Sequence, residues 1–149
     1  MQYSTRINFI SDDKEISQSL DAKLIKIDCK NISTKEDLFN KFSKTLQFPS
    51  YFGKNWDAFN ECFWDMEWIK AKYHIINLNI YLFNIENLLC NESMLEKKKF
   101  FGIINSDYFV APNDEQGNLN FPMNIQLFFN NNEKKYIYST DVTILWNSL

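Results

Sequence analysis

Asp57, Asn60, Glu61, Trp64, Asp65 and Trp68 stand at i, i+3, i+4, i+7, i+8 and i+11. At 100° per residue this spacing gathers them on one side of a helix over 56–68, with Trp56, Phe59, Phe63 and Met66 on the other. The stripe mixes carboxylates with large rings, and each suggests a chemistry. Asp57 and Glu61, one turn apart, are the residue types that flank a bond in acid–base hydrolysis. The same carboxylates also attract a cationic partner surface, raise its association rate and reject partners of like charge. Trp64 and Trp68 add ring surface of the kind that anchors protein interfaces. Two placements stay open for each ring. Trp64 is either such an anchor or lies beneath a loop or tail. Trp68 either ends the stripe or passes the helix end and packs under the sheet.

The enzymatic reading is the weaker one. A catalytic pair needs a concave, partly dry site, and a convex helix face offers neither. The single histidine, His74, falls in a segment that reads as a strand, where it is a packed or edge residue rather than a base. Cys29, Cys62 and Cys90 lie far apart, form no CxxC pair and have no neighbouring His or basic group, which speaks against a nucleophilic thiol, a metal site or a disulfide framework. No cofactor or metal is expected. The net charge of −3 has the wrong sign for a nucleic-acid binder. Lys97, Lys98 and Lys99 form the longest basic run, which reads as a solvated helix face. Met1 to Ile10 carries one Arg and no apolar leader core, and no segment reaches the length of a membrane helix. A soluble protein of a reducing, cytoplasmic compartment is expected.

The elements that must position the stripe can be read along the chain. Its 149 residues suit one domain, and 45% hydrophobic content with few Gly and Pro suits a packed core. Arg6 to Ile10 reads as a short strand followed by a polar turn, and Lys23 to Asp28 as the first convincing strand. Ser33 and Glu36 form a capping box ahead of Leu38, Phe39, Phe42 and Leu46, a helix that Pro49 stops near Gln47. Asn55 caps the helix that carries the stripe. Tyr73 to Phe83 reads as a central strand and Ser93 to Asn105 as a helix. Residues 112–120 read as a loop and Asn124 to Phe129 as a strand. A turn at Asn130 to Asn132 leads into further strands over Lys135 to Ser139 and Val142 to Trp146. This order predicts an α/β fold, a small and mainly parallel sheet packed by helices, with extra C-terminal strands. It is one domain over 1–149, with a core of roughly 23–129.

The run Phe48-Pro49-Ser50-Tyr51-Phe52-Gly53-Lys54-Asn55-Trp56-Asp57-Ala58-Phe59-Asn60-Glu61-Cys62-Phe63 resembles the signature of the barstar family, L/F-P-x-Y-Y/F-G-x-N-x-D-A-L-W-D-x-L. The resemblance implies a small parallel sheet packed by helices and a protein that plugs the active site of a ribonuclease. It implies a one-to-one complex with a basic toxin nuclease, as an immunity or antitoxin protein of bacterial type. By position, Tyr51, Phe52 and Asn55 fall in the family's contact loop, and Asp57 matches a helix carboxylate that meets basic active-site groups. Glu61 stands where the family has its central Asp, the group that occupies a phosphate site. The sequence departs from the family in several places. Glu61 is one methylene longer, about 1.5 Å. Asn60 replaces an aromatic contact residue, with Trp64 one turn later, and Phe52 lacks a hydroxyl. Met66 and Glu67 precede Trp68 as an insertion. The rival from another class is a binding module for a basic partner that is not a nuclease.

Overall fold

Alternation along the strands decides which side of the sheet is buried. Ile25 and Ile27, then Leu78, Ile80 and Leu82, then Ile125, Leu127 and Phe129 are all withdrawn from solvent, while the residues between them are less so. The computed structural model describes residues 6–105 and 123–137. In it β1 (Ile7–Ile10), β2 (Ala22–Asp28), β3 (Asn77–Phe83) and β4 (Asn124–Asn130) form one sheet in the order β1-β4-β3-β2. Every pairing is parallel. One register row, Ile7, Leu127, Ile80 and Ile25, crosses all four strands and lies wholly in the core.

Among the described residues, four helices supply the apolar side chains that cover this face: α1 (Lys35–Thr45), α2 (Trp56–Asp65), α3 (Glu67–Tyr73) and α4 (Met94–Ile104). Leu38, Phe39 and Phe42 of α1, Phe59 and Phe63 of α2, Ile69 of α3 and Phe100 and Phe101 of α4 join the strand residues in one cluster. Phe59 is its hub. Its ring lies 5.5 Å from Phe42, 5.7 Å from Phe63 and 6.1 Å from Phe100, centroid to centroid. Such ring pairs add to what burial alone contributes. Residues 13–17 cross the opposite face, where Ile16 is buried, Asp13 pairs with Lys26 and the Ser17 carbonyl accepts from Asn79 Nδ2.

The structure corrects several of these expectations. The helix cap lies one residue later than the Ser33–Glu36 box. Thr34 Oγ1 accepts the Asp37 N–H at 3.1 Å, and Asp37 Oδ2 accepts the Thr34 N–H and both the N–H and hydroxyl of Ser33. Those bonds, the Thr34 hydroxyl first, hold the Asp37 carboxyl below its ordinary range. Tyr73 belongs to α3 rather than to a strand. His74 is an exposed left-handed residue (φ 54°) that ends α3, so it is neither packed nor at a sheet edge. After β4 the chain forms a 3-10 helix, Asn131–Tyr136, capped by Asn130 and followed by buried Ile137. That replaces the start of the strand expected over 135–139. The rest of that range, the loop at 112–120 and the strand at 142–146 lie outside the described residues. No helix among those described is long and apolar enough to cross a membrane.

Candidate functional site

The loop before α2 is fixed from below by aromatic packing and from the side by α3. Phe48 N–H donates to the Ser43 carbonyl (2.8 Å), and Phe52 N–H closes a turn onto the Pro49 carbonyl (3.0 Å). The Phe48 and Phe52 rings meet edge to face at 5.1 Å, and Phe52 rests on Phe39 at 5.8 Å. Trp68 Nε1 donates to the Leu46 carbonyl (2.9 Å), and its ring meets Phe48 at 6.0 Å. Gln47 Nε2 donates to the Tyr73 hydroxyl, and Lys72 Nζ donates to Gln47 Oε1. With its neighbours held, Tyr51 projects from the turn and is 74% exposed. Asn55 Oδ1 accepts the Ala58 N–H at 2.8 Å and caps α2. A Cβ on Gly53 would come within 3.3 Å of the Asn55 amide, so a side chain there would crowd the cap.

Beyond the cap, α2 presents a narrower ridge than its spacing suggests. Asp57 and Glu61 are exposed and Asp65 is half-buried, on successive turns of one line. Trp56, Phe59 and Phe63 face the core as expected, and Met66 follows them. Trp64 does not join the exposed stripe. It is 4% exposed, with the Arg6 guanidinium 4.8 Å above its ring and Phe63 edge-on at 5.0 Å. The cover includes a residue from the start of the chain, which nothing in the helix itself announces. Asn60, half-buried beside it, keeps its Oδ1 away from solvent with no hydrogen-bond partner among the described residues. Trp68 also leaves the stripe: half-buried, it packs against the loop as a brace.

The helix does not run through to Trp68. Met66 adopts a left-handed conformation (φ 52°) with its side chain fully buried, which ends α2 and starts α3 on a new axis. The break brings a carboxylate that the helical spacing omits, the exposed Glu67, next to Asp65. Desolvation first, and then the Glu67 charge, pushes the Asp65 carboxyl above its ordinary value, although the Glu67 N–H works against this. Partial desolvation first raises the Tyr51 phenol, and the neighbouring carboxylates Asp65, Glu61 and Glu67 add to it. The fields of three carboxylates therefore overlap at the Tyr51 hydroxyl. Cys62 is pushed up to about 11, by burial first and then by Asp65 and Glu61, so it stays a thiol at neutral pH. Among the described residues, none of Asp57, Glu61, Asp65 or Glu67 enters an ion pair; the ion pairs seen join Lys26 to Asp13, and Lys35 and Lys99 to Glu96. No three His, Cys, Asp or Glu side chains among them are grouped to hold a metal ion.

This is a face of carboxylates that enter no ion pair among the described residues, beside one projecting phenol, built by the 46–55 loop, α2 and α3. Residues 22–95, which contain all of it, match the family model described as barstar (barnase inhibitor). Through this stretch the chain belongs to the barstar family. Comparison with curated proteins finds no match, and comparison with solved structures finds none either. The four-stranded parallel sheet with its helices is an α/β fold consistent with a barstar-like architecture. Barstar-family proteins are inhibitors rather than enzymes, and they act on ribonucleases of the barnase type.

Proposed function

We propose that this barstar-family chain inhibits a toxic ribonuclease by seating the Asp57, Glu61 and Asp65 ridge, with Tyr51, in the enzyme's basic active site. The observation that carries the reading is the run of carboxylates on α2, Asp57 and Glu61 exposed and Asp65 half-buried, that enter no ion pair among the described residues. A ribonuclease must hold phosphates, and carboxylates on a rigid helix can stand where those phosphates would, so that substrate is excluded. Asp57 and Asn55 sit at the rim near the cap, and Asn55 is already committed to holding the helix start. Glu61 is the central group. Its extra methylene suits a partner pocket about 1.5 Å deeper than an Asp needs. Tyr51 is the exposed ring that takes the anchoring role the sequence left open for Trp64. Phe52 and Trp68 support it from below. Cys29, Cys62 and Cys90 are all free thiols, which suits action inside a cell, in a reducing compartment.

The test is RNA cleavage by a barnase-type nuclease, and by a matched toxin nuclease, titrated with this protein. Inhibition should reach completion at a one-to-one ratio and compete with RNA. Glu61→Ala should weaken it by about 2–5 kcal/mol, mostly through faster dissociation. That range is the general one for truncating one partner of a buried, hydrogen-bonded charge pair, and the barnase–barstar complex is itself a standard example of such pairs. Asp57→Ala should come second. A folded protein that binds a basic nuclease without displacing RNA would instead mark the ridge as a non-inhibitory docking face.

A further inference from the structure

A cavity of about 340 Å³ opens at the carboxyl end of β2, where the chain turns into α1, and none of its lining residues belongs to the acidic ridge. Its volume falls within the usual range for small-molecule sites. Lys30 lies on the turn and Lys41 and Lys44 on successive turns of α1, with Asn40 beside them. Among the described residues these three ammonium groups make no ion pair or hydrogen bond, and the Asn40 amide has no partner. The two carboxylates that share the lining are already committed. Asp28 Oδ1 accepts from Asn84 Nδ2 (2.9 Å) and the Lys30 N–H (3.0 Å), and Asp37 is held within the cap of α1. Those hydrogen bonds, Asn84 first, lower the Asp28 carboxyl, and the Lys41 and Lys30 charges lower it further, so both cations act on this end of the strand.

The notch therefore has a surplus of donors and positive charge on a chain whose net charge is −3. We propose that it is a binding site for a phosphate group, free or carried by a nucleotide, held by Lys30, Lys41 and Lys44. Ammonium groups recognise phosphate as point charges, and set against the two carboxylates of the lining the three of them leave the notch with one net positive charge.

Isothermal titration of the full chain with inorganic phosphate, AMP and adenosine, against sodium chloride of equal ionic strength, tests this. Saturable one-site binding of phosphate or AMP, but not adenosine, is the expected result. Tighter binding of AMP than of phosphate would identify a nucleotide as the ligand, and equal binding would identify the phosphate group alone. The double variant Lys41→Gln/Lys44→Gln removes two exposed cations and should fold normally, as circular dichroism would show. It should bind about tenfold more weakly. Absence of saturable binding, adenosine binding as well as AMP, or unchanged binding in the double variant would overturn the assignment. Ribonuclease inhibition should be the same in wild type and double variant, so failure here and failure of the inhibitor reading can be told apart.

Discussion

Trp64→Ala separates the two roles its position in α2 allows. The ring is 4% exposed, lies edge-on to Phe63 and is covered by Arg6. A buried Trp removes about 150–250 Å² from water, which at about 25 cal/mol per Å² corresponds to about 4–6 kcal/mol. Core Trp→Ala changes cost about 3–5 kcal/mol, so a loss of about 4 kcal/mol is expected. For a chain of this size that lowers the melting temperature by about 8–16 °C. Thermal and urea melts of wild type, Trp64→Ala and Trp64→Phe would measure it, with Trp64→Phe losing less. At a temperature where the Ala variant is still folded, its affinity for a nuclease should stay close to wild type. A variant that melts within about 2 °C of wild type but loses affinity would refute the reasoning, since it would place the ring on the binding face.

Trp68→Phe keeps a ring against Phe48 but removes the N–H that reaches the Leu46 carbonyl. It should cost about 1–2 kcal/mol. Amide exchange at Phe48 and Phe52 should quicken in the same variant, because the loop that carries Tyr51 loses its lateral tie. Asp65→Asn tests the desolvated carboxyl. An acid raised above its ordinary 3.8 in the folded state ionises first in the unfolded chain, so wild-type stability falls as pH rises through that interval and stays lower above it. The Asn variant should therefore be the more stable at pH 7 and equal to wild type below about pH 3.8, read from melts across pH. A variant less stable at pH 7 would show that the Glu67 N–H bond outweighs desolvation.

Elements built on a strong period are legible in the sequence. Ile25 and Ile27 alternate as a buried-face strand should, Phe59 and Phe63 repeat as a core face should, and Asn55 caps the helix its chemistry marks. The α1 cap reads one residue early because Ser33 with Glu36 and Thr34 with Asp37 offer the same pair of hydrogen bonds, and the helix starts on the second pair. The break at Met66 has no Gly or Asn to announce it. A buried Met in a left-handed conformation is maintained by tertiary packing, which local propensity does not record. For the same reason the ridge gains Glu67 and loses Trp64 and Trp68. Arg6 over Trp64, and Trp68 against Leu46, are contacts between segments that no helical spacing relates.

The strand order also sets when the molecule can exist. β4 occupies an interior place in the sheet and is flanked by β3 and by β1, the first of the described strands. Among the described strands, β1 has no partner during synthesis, and β3 lacks one of its two neighbours, until residues 124–130 have left the ribosome. At about 5–20 residues per second that is a wait of about 6–24 seconds for β1 and about 2–9 seconds for β3, whose backbone edge on that side is unpaired until then. Pairings between segments this far apart in sequence are also the slow kind to form. A molecule that has not yet paired residues 124–130 therefore lacks the strand that joins β1 to the rest of the sheet.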